Sequence, residues 1–102
     1  MPDKERCVWK FPIALQDEQI VNMPANARVL SCAEQGGVLT LWALVDPEAP
    51  PKARRVFVRG TGDPVEGACA EACFIATVVT CGGRLVWHVF VEEEEGCATP
   101  ES

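Results

Sequence analysis

The sequence predicts an all-β domain: a compact antiparallel sandwich or small barrel of six to seven strands built on two Gly-Gly hairpins. Three observations carry this. Gly36-Gly37 and Gly82-Gly83 each stand between runs rich in Val, Leu, Trp and Phe, and adjacent glycines supply the positive φ angles that tight hairpin turns require. Short strand-like runs recur along the chain between Pro- and Gly-rich breaks. Hydrophobic residues make up 48% of the 102 residues, enough for one core in one domain.

Taken in order, residues 1–6 are too polar to pack, and Cys7 to Phe11 alternates apolar and polar until Pro12 stops it. Gln19 to Met23 is a second short strand, followed by a turn at Pro24 to Ala27. Arg28 to Ala33 and Val38 to Val45 flank Gly36-Gly37, which pairs Gln35 with Val38, Cys32 with Leu41 and Ser31 with Trp42. Val38 to Val45 is apolar on both faces, the pattern of a central strand. Asp46 to Ala53 holds three prolines and reads as a surface loop, and Arg54 to Arg59 as a short strand. Gly60 to Pro64 is a turn, and residues 65–73 are small enough to form one helical turn or a loop. Phe74 to Val91 is the second hairpin, with Gly82-Gly83 pairing Cys81 with Arg84, Val79 with Val86 and Thr77 with His88.

Charge divides the chain at Glu92, giving a β domain over 1–91 and an acidic disordered tail over 92–102. The net charge is −6, of which residues 92–102 hold −5 through five Glu and no base. The rest of the chain is close to neutral. Nucleic acid is therefore disfavoured as a partner, because phosphate binding draws its affinity from a basic excess. No apolar run is long enough for a membrane span and no signal core opens the chain, so a cytoplasmic location is expected, without membrane contact. In that setting the six cysteines read as reduced, mostly core thiols, and no C-x-x-C spacing supports a metal site.

A resemblance runs through residues 8–91. It is carried by Trp9-Lys10-x-Pro12, Met23-Pro24-x-x-Ala27-Arg28-x-Leu30-Ser31, Leu41-Trp42-Ala43-Leu44-Val45-Asp46, Arg59-Gly60-Thr61-Gly62, and Gly82-Gly83-x-Leu85-Val86-Trp87-His88-Val89-Phe90. In that order they resemble a family of short uncharacterised proteins of bacteriophages and prophages. The resemblance implies a phage accessory protein in the cytoplasm of a host cell. It implies no activity, cofactor or catalytic residue.

The candidate site residues are few. His88 is the one side chain that titrates near neutrality, yet no carboxylate is spaced to orient it, and Cys81 near the turn is poorly placed to be its nucleophile. Arg59, Gly60, Thr61, Gly62 and Asp63 offer backbone amides, a hydroxyl and a guanidinium to an anion, with Arg84 as a second cation. The same stretch is also an ordinary strand-exit turn. Arg54, Arg55 and Arg59 would mark one side of a protein interface.

Three functions are carried forward. The first is a non-enzymatic accessory protein that binds, and inhibits, a host protein complex such as a defence system. The second is a homo-oligomer that sequesters a small nucleotide-like ligand at Arg59 to Asp63. The third is a small hydrolase using His88. None requires a metal or cofactor.

Overall fold

The computed structural model describes residues 5–94. Seven strands form two antiparallel sheets: β1 (Cys7–Pro12), β2 (Glu18–Pro24), β3 (Arg28–Gln35), β4 (Val38–Val45), β5 (Pro51–Gly60), β6 (Cys73–Thr80) and β7 (Leu85–Val91). One four-residue helix, α1 (Ala68–Glu71), lies between β5 and β6. The sheets run β1-β4-β3 and β2-β5-β7-β6, and β3 lies against β6 where the two meet. Each sheet keeps its own ladders, so the fold is a sandwich and not a closed barrel.

The hairpin registers follow from the glycine turns. Gln35 faces Val38, Cys32 faces Leu41 and Ser31 faces Trp42. In the second hairpin Thr77 faces His88 and Val79 faces Val86. Gly36 and Gly37 have φ of 60° and 85°, and Gly82 and Gly83 have 65° and 97°, values open to glycine and strained for other residues. Both incoming strands also carry a bulge, at Leu30 between Val29 and Ser31 and at Ile75 between Phe74 and Ala76.

β4 is the central strand its two-faced apolarity predicts. Leu41, Ala43 and Val45 point inward and are fully buried, meeting Val56, Val58, Val89 and Val91 from the second sheet. One boundary differs from expectation. The Pro-rich loop ends at Pro50, and Pro51 already pairs with Pro24. A proline at the first position of a strand gives up no needed donor. The link beyond is supplied by the Ala25 N–H donating to the Pro50 carbonyl at 2.7 Å.

Glu92, Glu93 and Glu94, which the charge pattern assigns to a solvated tail, are docked on the domain. The Glu92 N–H donates to the Arg55 carbonyl at 2.8 Å, and all three carboxylates have partners. The remainder of the expected tail, residues 95–102 with Glu95, Cys97 and Glu101, lies outside the described residues, as do residues 1–4.

Candidate functional site

β5 decides where the candidate arginines go. Successive side chains in a strand point to opposite faces, so Arg54 turns inward with Val56 and Val58 while Arg55, Phe57 and Arg59 turn outward. The three arginines expected to share an interface are thus split between faces. Arg54 is only 4% exposed. Its guanidinium donates to the carbonyls of Glu92 at 2.9 Å and Ala27 at 3.0 Å, and stands 3.7 Å from the Glu94 carboxylate. That carboxylate also accepts from the Asn26 N–H at 2.7 Å, where Asn26 turns the chain at φ 67°. Arg54 is a buried structural cation, since a charge at that depth has to be paired.

On the outer face, Phe57 is sandwiched between the Arg55 and Arg59 guanidiniums, 5.8 and 5.7 Å from its ring centre. Cations over an aromatic face are attracted by its quadrupole. Phe57 is 2% exposed although it faces away from the main core. Arg55 is held by Glu92 at 3.3 Å and by Glu18 at 3.5 Å, which keep its guanidinium more firmly protonated than usual.

The turn after β5 does bring most of the sequence-predicted residues together. The Asp63 N–H donates to the Gly60 carbonyl at 3.0 Å, and the Gly60 N–H donates back to the Asp63 carboxylate at 2.8 Å. Arg59 donates to three carbonyls: Asp17 at 2.6 Å, Pro64 at 3.2 Å and Val58 at 3.2 Å. Gly62 takes φ 97° and completes the turn. An open cleft of about 620 Å³ lies beside it, lined by Asp17, Arg59, Asp63, Pro64 and Glu66. Three carboxylates against one engaged guanidinium make this cleft poor for phosphate. Arg84 sits in the β6–β7 turn, about 13 Å along the strand from His88 at the usual rise per residue. Among the described residues its side chain makes no hydrogen bond or ion pair.

His88 is bound at both ring nitrogens by hydroxyls. Thr61 Oγ1 is 2.8 Å from Nε2 and Thr77 Oγ1 is 3.0 Å from Nδ1. The chain Thr61–His88–Thr77 ties the turn to β7 and β6. Sequence reasoning looked for a carboxylate or thiol beside His88 and so passed over Thr61. The Thr77 partnership was readable, because the hairpin register places it directly opposite.

The thiols divide by burial. Cys7 and Cys81 are exposed, while Cys32 and Cys69 are buried. Burial pushes the Cys32 thiol up to about 11, against a small opposing effect of a backbone hydrogen bond with Thr40. Burial also raises Cys69, with the Arg59 charge pulling the other way. Among the described residues no group of three His, Cys, Asp or Glu side chains is placed to hold a metal ion.

The outer faces of both sheets carry apolar side chains in solvent. Phe74 is 55% exposed and meets Phe90 edge-on at 5.5 Å on the four-stranded sheet; Val8 is 54% exposed on the three-stranded one. Among the described residues no helix is long and apolar enough to cross a membrane.

Together these features define a two-sheet β sandwich whose polar groups are spent largely on its own turns and strand ends. The domain of unknown function DUF7352 matches residues 4–99, and the chain belongs to that family. No curated protein and no solved structure matches it.

Proposed function

We propose that this domain is a non-enzymatic binding protein that engages a protein partner through an outer sheet face. The carrying observation is the apolar side chains left in solvent on each outer sheet face: Val8 and Val38 on the three-stranded sheet, Phe74 and Val79 on the four-stranded one. Exposed apolar side chains grouped on one face are a usual mark of an interaction site. In the setting that the resemblance implies, the protein is phage-encoded, works in the host cytoplasm, and inhibits a host complex such as a defence system. Affinity capture from a bacterial host, with the full chain as bait, tests this. A stoichiometric protein partner is expected, and its repeated absence across hosts sinks the reading.

The nucleotide-like ligand is the less favoured reading, since Arg59 is already engaged and its neighbours repel phosphate. Thermal-shift screening with nucleotides should give no stabilisation. The hydrolase reading has one observation in its favour, the 2.8 Å contact between the Thr61 hydroxyl and His88 Nε2, which is within reach for a hydroxyl nucleophile and its base. Turnover of a p-nitrophenyl ester that is lost in both Thr61→Val and His88→Gln would establish it. Hydrolysis unaffected by either change removes it.

A further inference from the structure

The three-stranded sheet presents an outer face of uniform charge sign. Registers across β1, β4 and β3 place Val8 and Lys10, Trp42 and Leu44, and Arg28 on that face. Within these strands the outward positions hold the cations Lys10 and Arg28 and no carboxylate; Glu34, opposite Leu39, belongs to the inward row. The two cations stand on the two outer strands, and the apolar Trp42 and Leu44 run between them along β4.

The dimensions of the face matter. With strands about 4.8 Å apart, the outer strands are roughly 10 Å from each other, which is the width of one α-helix with its side chains. Toward the hairpin the face closes itself. Lys10 Nζ donates to Gln35 Oε1 at 2.7 Å across β4, and Thr40 between them is 3% exposed. The open part is therefore the Trp42–Leu44 end. The four-stranded sheet differs in charge, since Glu18 stands on its outer face beside Arg55.

We infer that the outer face of the β1-β4-β3 sheet docks an acidic amphipathic helix of a partner protein, its apolar stripe on Trp42 and Leu44 and its carboxylates toward Lys10 and Arg28. This rests on the binding function proposed above and names the partner's chemistry. Charge favours an acidic occupant over a basic one, because like charges on both sides are costly. A second copy of the chain lacks the required element among its described residues, where α1 is only four residues long.

The test uses the full chain, isotope-labelled, with a synthetic helical peptide bearing a Leu stripe flanked by Glu. The control peptide carries Lys in place of Glu. Saturable binding of the acidic peptide is expected, with shifts at the Trp42 indole and the β4 amides and none with the control. The double variant Lys10→Glu, Arg28→Glu should bind at least about tenfold more weakly, and raising salt on the unaltered protein should weaken binding likewise, since exposed charges are screened. Equal binding of both peptides, shifts confined to the four-stranded sheet, concentration-dependent self-association through this face, or displacement by oligo-dT each overturns the inference. A captured host partner that still binds the double variant also overturns it while leaving the binding function standing. Failure to capture any partner counts against the binding function instead.

Discussion

The two ends of β5 use an arginine in opposite ways. At one end Arg54 is buried, and its charge is met by Glu94 from beyond β7 and by two carbonyls. At the other end Arg59 lies over Phe57 and spends its donors on the carbonyls of Asp17, Pro64 and Val58. The first arrangement depends on a charged partner, and the second on neutral carbonyls. The difference teaches where the fold is vulnerable: an unpaired charge in the interior costs far more than a lost hydrogen bond at the rim.

The largest expected effect follows directly. Glu94→Ala should destabilise the domain by about 3 kcal/mol, as removing one member of a buried ion pair does. Adding Arg54→Met to that variant should recover much of the loss. Urea denaturation measures both, and a loss within about 0.5 kcal/mol would make the two ends equivalent. Arg59→Met should cost less, about 1–2 kcal/mol, for its hydrogen bonds and its cation–π contact.

His88→Gln is milder still. It can keep one of the two hydroxyl partners, so a loss of about 1 kcal/mol is expected in thermal melts. An effect of pH separates both arginine ends from the core. Arginines keep their charge through mild alkali, whereas Cys32 titrates at about 11 in the fold against 9.0 for an ordinary thiol. The unfolded chain therefore releases this proton first. Stability should be intact below pH 9 and fall as pH rises toward 11. Melts across that window should slope downward, and Cys32→Val should flatten the slope.

The fold was largely legible in the sequence because glycine pairs fix hairpin register and register fixes faces. Gln35 opposite Val38 and Thr77 opposite His88 follow from turn geometry alone. The start of β5 was not legible, because three prolines signal a loop and only the pairing of Pro51 with Pro24 shows that a strand can begin on one. The candidate site was half legible. Arg59, Thr61, Asp63 and His88 do gather at one end of the second sheet. The splitting of Arg54 from Arg55 was implicit in strand alternation, but its reading needed the knowledge that one face of β5 was the core. The docking of Glu92 to Glu94 had no local signal. A run of glutamates looks solvated until a buried arginine is found facing it, and that pairing is a property of the tertiary fold.

The contact between Glu94 and Asn26 joins positions 68 apart in the chain. In the order of synthesis, Arg54 is made long before the carboxylate that neutralises it. The four-stranded sheet also awaits β6 and β7, so the nascent chain has no complete home for that guanidinium until its last described residues emerge. A prematurely terminated product would keep a bare cation at the mouth of its core. It would be less stable than the whole domain, since the residues just after β7 complete the pairing of Arg54.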